Sequence, residues 1–154
     1  QRQPLGITLK MPNSEAQKIH ELSHSHPIVF FDGVCGFCNA VVDWIIKRDQ
    51  KARFRFSPLQ GETAKLILSG EERARVDTIV ILKNGRTFKH SNAIAEILLD
   101  LGSPWRELGF ILRSIPEVIR DLGYNAVAKI RYRIFGKSET CRLPTPEERT
   151  RFLD

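Results

Sequence analysis

The apolar positions of the chain change period several times, and each change marks an element. The unbroken run Ile28-Val29-Phe30-Phe31, bounded by Pro27 and by Asp32-Gly33, predicts a buried strand that ends in a turn. From Cys35 to Gln50 the spacing of Phe37, Val41, Trp44 and Ile45 is helical, with Lys47 and Arg48 near the C-terminal end, where cations suit the helix dipole. Phe54 and Phe56 then alternate with Arg53 and Arg55 as far as Pro58, the period of a strand with one wet face. Residues 61–70 read as a short helix closed by Gly70, and 76–91 as a strand, a tight Asn84-Gly85 turn and a second strand. Residues 91–102 predict a helix with Ser91 or Asn92 as N-cap and Gly102 at its end. Helical patterning resumes after Ser103-Pro104, and Pro116 and Gly123 are expected to break that stretch into pieces.

The order from 27 to 102 is strand, helix, strand, helix, strand, strand, helix. This is the α/β order of a thioredoxin-like fold, a four-stranded mixed sheet flanked by helices. Residues 103–154 then form an appended C-terminal helical layer packed on the core. Residues 1–26 form a flexible N-terminal extension, and residues 1–10 read as a remnant or trimmed end, Met11 being the sole methionine. With 154 residues, 42% of them hydrophobic, the chain can bury one core without disulfides. Three cysteines are too few and of the wrong parity for a secreted disulfide framework, so a reducing, cytoplasmic setting is expected. No apolar run approaches the roughly 18 residues of a membrane span, and no membrane partner is expected.

The net charge of +6 is uneven: between 129 and 142 the chain carries Lys129, Arg131, Arg133, Lys137 and Arg142 against Glu139 alone. A solvated helix face is the commoner meaning of such a stripe, and no base-stacking aromatic array accompanies it, so no nucleic acid is expected.

The chemistry centres on "DGVCGFCN" at the strand-to-helix junction. A thiol reacts as its thiolate, and a helix N-terminus favours that form, which makes Cys35 the attacking sulfur. Cys38, one turn further, faces the same side and can resolve a mixed disulfide on Cys35. Asp32 is either a proton acceptor and electrostatic tuner of the pair or the turn-former of an Asp-Gly corner. A structural zinc site remains an alternative, with Cys35 and Cys38 joined by Cys141 and one of His20, His24, His26 or His90, but its ligands come from both chain ends and no metal is expected. A third reading is a non-catalytic module that docks a partner through its basic C-terminal layer. The intact pair speaks for an enzyme, since a docking module needs neither thiol.

"FFDGVCGFCN" together with the downstream "RYRIFG" and "CRLPTP" resembles the DCC family of thiol-disulfide oxidoreductases, whose D-x-x-C-x-x-C motif is matched by Asp32, Cys35 and Cys38. The resemblance spans residues 27–154. It implies a thioredoxin-like fold and protein-disulfide oxidoreductase activity on protein or small-thiol disulfides, with no cofactor. Thioredoxin-like proteins usually carry a cis-proline before the third strand, where this chain has Asp77-Thr78. The "HSNAIAEIL" helix start is similar to that of glutathione-binding relatives, which implies Ser91 and Asn92 as a site for the glutathione carboxylate.

Overall fold

A strand with no polar position needs cover on both faces, and Ile28–Phe31 has it. In the computed structural model, which describes residues 14–74, 79–135 and 144–154, this strand, β1 (Ile28–Phe31), is buried throughout. It pairs in parallel with β2 (Arg55–Pro58), Val29 opposite Phe56, and antiparallel with β3 (Val80–Lys83), Val29 opposite Ile81. The edge strand β4 (Arg86–Lys89) returns from β3, giving the order β2-β1-β3-β4. Asn84 and Gly85 both take positive φ (51° and 73°), as a tight primed turn requires. The four-stranded mixed sheet, flanked by helices, has the expected thioredoxin-like architecture.

Alternation along the strands divides the core. Val29, Phe31, Phe56 and Ile81 face α2 (Gly36–Arg48) and α5 (His90–Leu101), with Val42, Ile45 and Ile97. Ile28, Phe30, Val80 and Leu82 face the other side, covered by Ala64 of α3 (Glu62–Ile67) and by Ile19 and Leu22 of α1 (Ser14–Ser25). The expected flexible extension is therefore corrected for residues 14–25. They form a helix whose apolar side chains close the second core, and Ser23 binds the hairpin tip, its Oγ accepting from Gly85 N–H (3.0 Å) and its carbonyl from Asn84 N–H (3.1 Å). Residues 1–13 lie outside the described residues.

Three expected boundaries move. Gly70 does not close α3 but starts α4 (Gly70–Ala74), because Ser69 and Glu72 form a reciprocal capping box at 3.2 and 2.9 Å. Neither Ser91 nor Asn92 caps α5, which begins at His90 with Lys89 in the cap position; both side chains turn instead to the C-terminal layer. In that layer Pro116 separates α6 (Trp105–Ser114) from α7 (Glu117–Phe135), but α7 runs through Gly123 unbroken. Proline removes a backbone donor, whereas a helical glycine costs only about 1 kcal/mol, which the packing of α7 on α5 and α2 offsets. At Gly109 a Cβ would stand 3.0 Å from Leu99, so the bare backbone lets α6 lie directly on α5.

The end of the chain is not helical, as the sequence pattern suggested, but extended beyond a 3₁₀ turn at Arg149–Arg151. Phe152 bridges Phe56 along the outer edge of β2, with Leu153 N–H donating to Phe56 O (2.9 Å). Arg151 pairs with Asp49, and Asp154 accepts from Thr63 N–H (3.2 Å), supplying at α3 the cap that Gly61 lacks. This strap covers an otherwise open sheet edge. No helix among the described residues is long and apolar enough to cross a membrane.

Candidate active site

The turn that follows β1 is built by Asp32. Its carbonyl accepts from Cys35 N–H (3.2 Å), and its Oδ1 accepts from Val34 N–H (3.1 Å), an Asx turn that reverses the chain and starts α2 at Gly36. Gln60, from the loop after β2, holds the same corner: its Nε2 donates to Asp32 Oδ1 (3.0 Å) and its Oε1 accepts from Gly33 N–H (3.3 Å). Asn39 Nδ2 donates to Gly33 O (3.0 Å) from the first turns of α2. The Asp32 carboxylate is fully buried, which burial of a charge permits only with such donors around it. The turn-forming role of Asp32 is thus visible directly.

Cys35 is the N-cap residue of α2, in extended conformation (φ −88°, ψ 117°), and its Sγ accepts from Cys38 N–H at 3.4 Å. A thiol here does what Ser or Asp does in other N-caps, and the donor it meets suits a negative sulfur. Both cysteines are free thiols, and both are buried, Cys35 as fully as Cys38.

The two sulfurs are not equivalent. Burial pushes the Cys38 thiol up to about 12, helped by the hydrogen bond and charge of Cys35; Arg131 and a backbone hydrogen bond from Asp32 pull it the other way. Arg131, only 2% exposed, reaches in from α7 and donates from Nη1 to Cys38 Sγ at 3.3 Å. The sequence placed it within a solvated basic stripe, and this is corrected. The overlooked signal is periodic: Tyr124, Val127 and Ala128 precede Arg131 at helical spacing on the side of α7 that lines a groove against α2 and α5. That groove, of about 550 Å³, has mostly apolar walls, with Phe37 and Arg131 at the end nearest the pair. Gln60 was likewise missed, because nothing in "SPLQG" ties it to a turn 28 residues away.

Because its folded-state value is raised, Cys38 binds its proton more tightly in the native chain than in the unfolded one. Below pH 9.0 the thiol is protonated in both states, and between 9.0 and about 12 only the native state keeps the proton. Stability of the reduced protein is therefore expected to fall as pH rises through that window, by about 1.4 kcal/mol per pH unit from this group. Urea unfolding of the reduced protein and of Cys38→Ala at several pH values measures it: the difference between the two slopes should appear above pH 9 and vanish below.

The remaining sequence candidates lie elsewhere. Ser91 Oγ donates to Asp121 of α7, and Asn92 lies between Glu117 (3.1 Å) and Arg120 (3.0 Å). A protein carboxylate thus already occupies the helix start proposed for an external one. His26 Nδ1 contacts Arg53 O (2.9 Å), and His90 packs edge-on against Tyr124. No three potential metal-binding side chains come together among the described residues. Cys141 and the Asp77-Thr78 position lie outside them.

The family profile for the DCC1-like thiol-disulfide oxidoreductases matches residues 29–137, from β1 to the end of α7. The chain is similar to "Uncharacterized protein YuxK" of Bacillus subtilis (strain 168), 39% identical over 128 residues, covering 82% of this chain and 93% of that protein. It is also similar to "DCC family protein At1g52590, chloroplastic" of Arabidopsis thaliana, 36% identical over 119 residues, covering 76% of this chain and 69% of that protein. No solved structure matches significantly.

Proposed function

We propose, from the premise that this chain belongs to the DCC1-like thiol-disulfide oxidoreductase family, that it exchanges a Cys35–Cys38 dithiol with the disulfide of a protein or a small thiol such as glutathione. The observation that carries this reading is the asymmetry of the pair: Cys35 caps α2 and accepts from Cys38 N–H, while Cys38 is held as a thiol by burial and by Cys35.

The Cys35 thiolate attacks one substrate sulfur, forming a mixed disulfide and expelling the other sulfur as a thiolate. Cys38 then loses its proton and attacks Cys35 Sγ, closing the intramolecular disulfide and releasing the reduced substrate, so two electrons pass from the dithiol to the substrate. Two of the influences that hold Cys38 protonated come from the Cys35 sulfur itself. Both weaken once that sulfur is committed to a mixed disulfide; burial still opposes the Cys38 thiolate, while Arg131 and the Asp32 backbone hydrogen bond favour it. Asp32, fully buried beneath the same turn, is the proton acceptor in this reading. Because both thiols are buried, the substrate reacts only after local opening of their cover, and reaction should quicken under mild denaturant. Glutathione enters as a reacting disulfide; seating its carboxylate at Ser91 and Asn92 requires displacing Asp121. A reducing, cytoplasm-like compartment suits the reaction.

The test is the mass of the reduced protein before and after exposure to glutathione disulfide. A loss of two hydrogens, mapped to the peptide spanning 35–38, is expected. An unchanged mass, or stoichiometric zinc retained by the reduced protein, would overturn the reading in favour of a docking module or a structural metal site.

A further inference from the structure

All the large apolar side chains that are exposed among the described residues lie on α6 and α7. Phe110 and Ile111 on α6, and Val118, Ile119, Leu122 and Ile134 on α7, are each more than half exposed, Val118 reaching 75%. So many exposed apolar side chains on two successive helices mark an interaction surface. Its occupant is indicated by the charges set into it. At 100° per residue, Val118, Leu122, Lys129 and Arg133 share a sector of α7 about 60° wide, flanked by Ile119, Ile130 and Ile134. Lys129 and Arg133 are both exposed. The acids of α7 are turned the other way, Asp121 bonded to Ser91 and Glu117 to Asn92. The outward face of α7 is thus apolar and cationic, without a carboxylate of its own helix; on α6 the one acid, Glu107, accepts from Ser103 Oγ and stands near Arg106.

A second copy of the chain fits such a face poorly. In a two-fold contact the same surface meets itself, so Lys129 and Arg133 of both copies would be desolvated in one interface to which α7 brings no free carboxylate, Asp121 and Glu117 being bonded to α5, in a protein of net charge +6. A lipid surface makes the opposite use of both features: the apolar side chains enter the acyl boundary, and the long basic side chains extend to anionic head groups. We propose that α6 and α7 form a docking face for an anionic membrane surface, on which the protein lies without crossing the bilayer. The sequence expectation of no membrane partner rested on the lack of a spanning segment, which a surface-lying pair of helices does not need. The proposal is independent of the redox reading, since no cysteine takes part.

Flotation of the full chain with vesicles decides it. Binding is expected to vesicles of phosphatidylcholine and phosphatidylglycerol in equal parts, and to weaken with added salt. Lys129→Gln and Arg133→Gln should each lower the partition coefficient about fivefold, and Leu122→Glu should abolish binding. Leu122 is 66% exposed, so the variant keeps the core intact; its unchanged circular dichroism and unchanged oxidation of Cys35 and Cys38 confirm folding, and Val118→Ser provides a second, milder check. Equal binding to pure phosphatidylcholine vesicles, or binding to neither, overturns the proposal. So does a dimer in sedimentation velocity that Leu122→Glu dissociates, in the absence of vesicle binding, which assigns the face to a second copy.

Discussion

Cys35→Ser protein is expected to lose disulfide exchange by on the order of a thousandfold, because the other sulfur at the start of α2, Cys38, is held as a thiol by burial and a hydroxyl at the cap is not ionised at neutral pH. Cys38→Ser should fail differently. It still attacks, but the mixed disulfide on Cys35 persists, and mass spectrometry of the protein incubated with glutathione disulfide should show a stable adduct on Cys35. Asp32→Asn isolates the proton step. Asparagine preserves the Asx turn, since its Oδ1 can accept from Val34 N–H and Gln60 as the carboxylate does. The variant should therefore fold normally, form the mixed disulfide and release it about a hundredfold more slowly. Stopped-flow separation of adduct formation from release measures both steps. Release at the wild-type rate reduces Asp32 to the builder of the turn, and wild-type turnover by Cys38→Ser removes the resolving role of Cys38.

The largest effect on stability is expected at the strap. Asp49, just past the end of α2, has a buried carboxylate that accepts from Arg53 N–H (3.1 Å) and Phe54 N–H (2.9 Å) and pairs with Arg151. Burial pulls the Arg151 guanidinium below its ordinary value, against the favourable pull of Asp49, so desolvation is already charged against this pair. Removing one partner of a buried pair costs about 3–5 kcal/mol. Arg151→Met should fall at the lower end, about 3 kcal/mol, because two backbone donors remain on Asp49 and methionine keeps contact with Phe56, over whose ring the guanidinium lies. That corresponds to a melting temperature lower by roughly 6–12 °C in a chain of this size. Adding Asp49→Asn should cost less than the sum of the single changes, since the second substitution removes the charge the first left unpaired. A change under about 0.5 kcal/mol in Arg151→Met would show the strap to be a surface ornament.

Much of this protein follows from local sequence alone. The four buried positions of β1, the Phe54/Phe56 alternation, the Asn84-Gly85 turn and the helical spacing after Cys38 each depend on residues a few positions apart, and the element order they give specifies the mixed sheet. The placement of Cys35 at a helix start is local in the same way, so the position of the candidate pair was legible before any coordinate. The rest depended on contacts that no local period encodes. α1 has a weakly apolar pattern and earns its place only because the second sheet face lacks cover. Ser91 and Asn92 look like caps until Glu117, Arg120 and Asp121 arrive from α7 to take their side chains. Arg131 reads as one of several solvated cations, and only the packing of α7 across α2 turns it inward, 93 residues from the sulfur it touches. The final strand-like strap shows the same limit: Phe152 bridges Phe56 at the edge of β2 and packs edge-on against Phe31 of β1, both far from it in sequence. Backbone periodicity and turn chemistry act over a few residues and are written in the sequence, whereas the choice of which charge is desolvated, and against what, is made by surfaces that meet only when the chain has folded.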